Sequence, residues 1–152
     1  MDKNNKMRCS YIVSMRYQNF QKVKENGFSY IGFPERSVLA KHLNVGDLLF
    51  LYIGSRKSKI AAMVEVDSEM IWKNDLIWDD LFPTRYQIRP ISVLPPDHYI
   101  DMRSIKNGLS FINPEIERFG VYFMSGIKKI TDEDSKYLES FFAETNGGNK
   151  DD

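Results

Sequence analysis

The side chains able to do acid–base or nucleophilic chemistry are few and scattered. His42 and His98 are the two histidines and Cys9 is the single cysteine. His42 stands beside Lys41 in a helix-like stretch, which favours a solvated surface role. His98 follows Pro95 and Pro96 in a loop and reads the same way. Cys9 has neither a CxxC partner nor a second cysteine, so a structural zinc site and an internal disulfide are not expected. Asp75, Asp79 and Asp80 have the density to hold a metal, but acids set next to tryptophan read better as a solvated loop. GxSxG, GxxxxGK[ST] and GxGxxG patterns are missing. An enzyme needs a convergent set of reactive groups. With none in the sequence, no catalytic residue, metal or cofactor is expected, and the chain reads as a binder.

The rings are more informative. Tyr30, Phe33, Trp72, Trp78, Phe82 and Tyr86 stand among them, and both tryptophans fall in Glu69–Phe82, an acid-rich stretch with no clear period. Rings of this kind pack a small core. A tryptophan in an acidic loop either staples that loop down or lines a pocket. A pocket walled by rings suits a flat nucleobase, because stacking contributes roughly 1–3 kcal/mol per base. A methyl group on that base adds about 1 kcal/mol per buried carbon.

Periodicity supplies the elements that must position these groups. Ser10–Met15 reads as an apolar strand. Tyr17–Asn26 carries Phe20 and Val23 at helical spacing and ends at Gly27. Phe28–Phe33 reads as extended and Glu35–Leu43 as a helix. Asn44–Asp47 is a turn, and Leu48–Ile53 is a buried strand returning through the loop Gly54–Lys59 into Ile60–Val66, a hairpin. Thr84–Leu94 is a strand that Pro90 interrupts, which calls for an edge position or a bulge. Asp101–Lys106 is a short helix and Arg118–Met124 a last strand. Thr131 is a plausible N-cap, with Asp134 in capping-box position, for a closing helix whose apolar face is Tyr137, Leu138, Phe141 and Phe142. Residues 144–152 form a polar tail or linker, and residues 1–9 an extension.

The 152 residues are 42% hydrophobic and carry 21 basic against 21 acidic side chains. That is ordinary composition for one globular domain. Zero net charge argues against bulk electrostatic attraction to nucleic acid but leaves room for local basic patches. Candidates for phosphate contacts are Arg56, Lys57 and Lys59 first, then Arg85, Arg103, Lys106, Lys128 and Lys129. No apolar run is long enough to cross a bilayer. No signal peptide is recognisable and the lone cysteine suits a reducing compartment, so a cytoplasmic setting is expected.

The order of these segments resembles the EVE and YTH branch of the PUA-like superfamily. Ser10-Tyr11-Ile12-Val13-Ser14 is similar to the opening strand of both families. Gly46–Tyr52 followed by Ile60–Val66 resembles their central hairpin. Leu109–Ile112, Gly120–Phe123 and Thr131–Asp134 are similar to small EVE proteins. Tyr30–Pro34, Ile71-Trp72, Leu81 and Arg85–Pro95 look more like YTH. The resemblance implies an α+β fold, a small mixed β-barrel of about five or six strands with flanking helices. It also implies a pocket for a flipped or single-stranded modified base, such as 6-methyladenine or 5-methylcytosine.

Carried over residue by residue, the resemblance makes Tyr30, Trp72 and Leu81 the pocket walls, with Trp78 an alternate for Trp72. Ser14 and Met15 would form the floor, where backbone groups meet the base edge. Tyr30 stands where YTH domains have tryptophan, and Ser14-Met15 replaces their polar pair. The partner implied is DNA or RNA carrying a modified base. The chain would suit the DNA specificity module of a modification-dependent restriction system, with a fused or associated effector domain. An RNA-binding PUA-like domain reading methyladenine or unmodified RNA, and a small ASCH-like enzyme, are the alternatives.

Overall fold

The computed structural model describes residues 8–54, 57–78, 81–113, 115 and 126–150, with side chains as far as residue 143. Its strands are β1 (Ser10–Met15), β2 (Tyr30–Phe33), β3 (Leu48–Ile53), β4 (Lys59–Val66), β5 (Ile71–Trp72), β6 (Thr84–Val93), β7 (Ile100–Asp101) and β8 (Ile127–Ile130). The helices are α1 (Tyr17–Glu25), α2 (Met102–Ile105) and α3 (Asp132–Lys150). Six strands follow the path β2-β6-β4-β3-β1-β8, with β5 added to β6 and β7 to β4. β1 and β3 run parallel, and the other pairs are antiparallel. The result is a mixed sheet curled into a half-barrel with helices around it, an α+β fold of the expected class.

The unbroken apolar run of β3 has a physical cause. Leu49, Leu51 and Ile53 join one core cluster with Phe20 and Val23 of α1. Leu48, Phe50 and Tyr52 join a second with Leu138 and Phe142 of α3. A strand covered on both faces has no place for polar alternation. α1 ends in a Schellman motif: the Gly27 N–H donates to Lys24 O at 3.0 Å and the Phe28 N–H to Val23 O at 3.0 Å. This needs the left-handed backbone that Gly27 supplies at φ 76°, and Phe28 follows it at φ 57°.

Thr131 caps α3 as expected, its Oγ1 accepting the Asp134 N–H at 3.1 Å. The reciprocal half of the capping box is replaced by a tertiary tie. The buried Asp134 carboxylate accepts the Ser110 N–H at 2.9 Å and the Ser110 hydroxyl at 2.7 Å. The backbone of α3 runs on to Lys150, through most of the stretch that reads from sequence as a polar tail.

Two details differ from the sequence reading, at Glu35–Leu43 and at β8, and at Pro90 one of its two alternatives holds. Only Leu39–His42 is helical within Glu35–Leu43, as a 3-10 turn. The buried Tyr86 hydroxyl accepts the Leu43 N–H at 3.2 Å and donates to Ala40 O at 2.6 Å, capturing groups a longer helix would use. Pro90 stands at a bulge and not at an edge: Val64 pairs Pro90 while Met63 pairs Ser92, leaving Ile91 as the extra residue. β8 has no clear sequence signal, because Lys128 and Lys129 separate its buried ends Ile127 and Ile130. The strand expected at Arg118–Met124 lies outside the described residues. No helix among the described residues is long and apolar enough to cross a membrane.

Candidate functional site

The first part of β6, flanked by β2 on one edge and β5 on the other, organises the site. On one edge Tyr30 pairs Gln87 and Gly32 pairs Arg85. On the other, Ile71 pairs Arg85 and Trp72 pairs Thr84. Strand side chains alternate between faces. Tyr30, Gly32, Ile71, Arg85 and Gln87 therefore share the outer face. Ile31, Phe33, Thr84 and Tyr86 share the inner face and are buried.

The segment after β5 folds back over the outer face and is held there by two devices. The first is packing. Trp78 is 5% exposed and lies on the bare backbone of Gly32, where a Cβ would meet its ring at 2.6 Å. Tyr30 touches the same indole edge-on, ring centres 6.0 Å apart, and Phe82 lies 5.7 Å away. The second device is Arg85, itself 4% exposed. Its Nη1 donates to Asp75 Oδ1 at 2.7 Å, its Nε to Phe82 O at 2.9 Å, and its Nη2 to Asp75 O. The guanidinium also sits over the Trp78 ring at 5.1 Å. The hydrogen bond from Arg85 is the main reason the Asp75 carboxyl is held below its usual range.

Between this anchored segment and the β2–β6 surface lies a cleft of about 520 Å³. Small-molecule sites commonly fall at about 300–1,000 Å³. Tyr30 supplies its ring; Ile71 and Ile77 supply apolar surface; Gln87, Asp67, Lys73 and Ser29 supply polar groups. The Asp67 N–H and the Gln87 N–H are both used locally, donating to Gln87 O at 2.8 Å and Ser68 Oγ at 2.9 Å. A cleft with one ring, aliphatic walls and a few polar groups can hold a flat heterocycle and question its edge.

The structure brings only part of the expected pocket together. Tyr30 lines the cleft and Trp78 backs it. Trp72 is 48% exposed and stands on the Thr84 side of β5, so it does not face Tyr30. Leu81 is exposed and does not line the cleft. Ser14 and Met15 lie at the far end of β1. There the Ser14 N–H donates to Gly126 O at 2.8 Å and Met15 O accepts the Gly54 N–H at 3.0 Å. The Ser14 N–H and the Met15 carbonyl are thereby engaged. Ile71, Ile77, Asp67 and Gln87 join the cleft without having been expected there. The alternation of Arg85 and Gln87 with Tyr86 and Ile88 is the signal in the sequence, since it marks β6 as a two-faced strand.

The basic candidates divide similarly. Arg85 is buried, and its guanidinium is engaged by Asp75 and Phe82. Lys59 and Arg103 share Asp101, at 3.7 Å and 3.3 Å. Burial raises the Asp101 pKa, yet the Arg103 N–H and the Lys59 and Arg103 charges outweigh it and lower the carboxyl overall. Lys57 sits nearby in the turn, its Nζ 4.6 Å over the Tyr17 ring. The Met102 N–H donates to Ser58 O at 2.9 Å and stitches this turn to α2, with Lys106 just beyond. Lys128 and Lys129 stand on β8, Lys128 over the Phe111 ring at 4.8 Å. Arg56, Asp79 and Asp80 lie outside the described residues. Among the described residues no three His, Cys, Asp or Glu side chains group to hold a metal.

No protein-family model matches the chain, and no curated protein matches it in sequence. Solved structures do match it. The YTH domain of Zygosaccharomyces rouxii MRB1, in complex with N6-methyladenosine RNA, superposes with a TM-score of 0.63 and 15% identity over 90% of this chain and 88% of that one. The Pho92 YTH domain in complex with m6A gives 0.62 and 18%, over 89% and 83%. A hypothetical protein from Leishmania major gives 0.63 and 11%, over 92% and 98%. At such identities the likeness is one of fold: this chain has the α+β half-barrel of YTH domains.

Proposed function

We propose that this protein is a nucleic-acid-binding module, not an enzyme, and that it reads a methylated base. One observation carries the reading. Two domains that share this fold over about nine tenths of the present chain are bound to N6-methyladenosine, and this chain has a cleft of suitable size with Tyr30 in its wall. N6-methyladenine is accordingly the base proposed, with single-stranded RNA as the first partner to test. In a duplex the base would have to be flipped out at a cost of a few kcal/mol. The ring of Tyr30 stacks on the base, and Ile71 and Ile77 give its methyl an apolar surface. Lys57, Lys59, Arg103 and Lys106 are the proposed phosphate contacts.

The test is a binding titration of matched oligonucleotides, methylated and unmethylated, as RNA and as DNA. The expected outcome is a preference for the methylated form, weakened by Tyr30→Ala with a loss of roughly 1–3 kcal/mol in affinity. Lys57→Glu with Lys59→Glu should weaken all the oligonucleotides alike and reduce the salt slope by about 0.7–0.9 for each phosphate no longer neutralised. Equal affinity for methylated and unmethylated partners in both polymers would overturn the reading.

A further inference from the structure

Gln87 is the polar residue best placed to question whatever lies on Tyr30. The two are direct partners across β2 and β6, so their side chains leave the same face about 5 Å apart. The backbone of Gln87 is fully engaged: its N–H donates to Ser68 Oγ and its carbonyl accepts from the Asp67 N–H. The peptide that carries the side chain is thereby fixed. The side-chain amide is exposed in the cleft wall and makes no hydrogen bond among the described residues. Its neighbour Arg85, on the same face, is locked away by Asp75 and Phe82 and leaves the amide without competition from a guanidinium.

We infer that Gln87 is the specificity-determining residue of the cleft and selects an adenine-type base by its N6/N7 edge. This rests on the reading of the protein as a methylated-base binder. A glutamine amide presents one acceptor and two donors. Adenine presents the complement, an N6–H donor beside the N7 acceptor, and glutamine meets that pair with two bonds. N6-methyladenine keeps one N6 hydrogen. When that hydrogen points to the N7 side and to Gln87 Oε1, the methyl is directed to the opposite side of N6, and Nε2 donates to N7. Uracil and thymine place a carbonyl acceptor in this edge and guanine places two acceptors, so neither matches both halves of the amide. Asp67 at the cleft rim is an acceptor alone and suits the amine of cytosine, which makes 5-methylcytosine the competitor to measure.

The experiment uses the full chain and RNA oligonucleotides carrying adenine, N6-methyladenine, 7-deaza-N6-methyladenine, cytosine or 5-methylcytosine at one position. The 7-deaza base lacks the N7 acceptor and keeps the rest of the ring. For the natural chain, the 7-deaza base and 5-methylcytosine should each bind about tenfold or more weaker than N6-methyladenine. Gln87→Ala should lose about tenfold toward N6-methyladenine, with an unchanged melting temperature because the side chain is exposed. In that variant the 7-deaza base should bind as well as N6-methyladenine, since the bond that told them apart is gone. If the natural chain prefers N6-methyladenine and Gln87→Ala keeps that affinity, or still discriminates against the 7-deaza base, the role of Gln87 is overturned and the reader function stands. If the natural chain shows no preference for a methylated base over its unmethylated form, both fail together.

Discussion

The centre of the sheet and its β2–β6–β5 wing are held by different means. In the centre, β3 is buried on both faces by apolar side chains at regular spacing. Phe50 is fully buried and packs on Phe142 of α3, ring centres 6.0 Å apart. In the wing, the inner face is core, while the outer face is covered by one irregular segment held by a tryptophan on a glycine and an arginine on an aspartate. Trp72 and Trp78 show the contrast within a single segment: the first is 48% and the second 5% exposed. The centre is stabilised by area, and the wing depends on a few specific contacts. A site built in the wing can change its ligand without disturbing the core.

Substitutions in the two regions sharpen this comparison. Phe50→Ala should have the largest effect, about 3–5 kcal/mol of global stability, read by denaturant unfolding. Trp78→Ala should fall toward the low end, about 3 kcal/mol, because the segment above it can settle toward Gly32. Stability unchanged in Trp78→Ala would show that the segment is held by Arg85 alone.

Gly32→Ala comes next. Its added methyl meets Trp78 at 2.6 Å and Phe82 Cβ at 3.0 Å, an overpacking expected to cost about 1–3 kcal/mol. The mutant should also lose ligand affinity, because Trp78 must move and Tyr30 leans on it. Thermal melting and the binding titration separate the two effects. Trp72→Ala should change stability by no more than about 0.5 kcal/mol. A loss as large as that of Trp78→Ala would mean the exposed indole is a core anchor after all.

The smallest effect concerns pH. The Asp75 carboxyl titrates below its ordinary range because Arg85 donates to it. The tie is therefore at full strength above the ordinary carboxylate pKa of about 3.9, and it is lost as pH falls through the lowered value. Trp78 fluorescence should change in that acid window before global unfolding, and Asp75→Asn should remove the step.

Much of the architecture is legible in the residues themselves. β1, β3 and β4, the Gly27 end of α1 and the Thr131 cap of α3 follow from local patterns, and the order of segments points to the YTH-like fold. Tyr30 is reached through the likeness of Tyr30–Pro34 to YTH domains, and the structure sets it in the cleft wall. The 3-10 turn at Leu39–His42 escapes a local reading because Tyr86, some forty positions away, takes its hydrogen bonds. β8 escapes it because two lysines hide its buried ends.

Residue type and spacing thus determined the central strands, the helix ends and the presence of a ring-bearing wing, since each depends on neighbours within a few positions. Only the tertiary structure decided that Trp78 and not Trp72 backs Tyr30, that Arg85 is an internal tie, and that Gln87 shares the cleft. The reason is register. Which face a strand residue takes is set by its pairing with a distant strand, and a shift of one residue exchanges every inward side chain for an outward one.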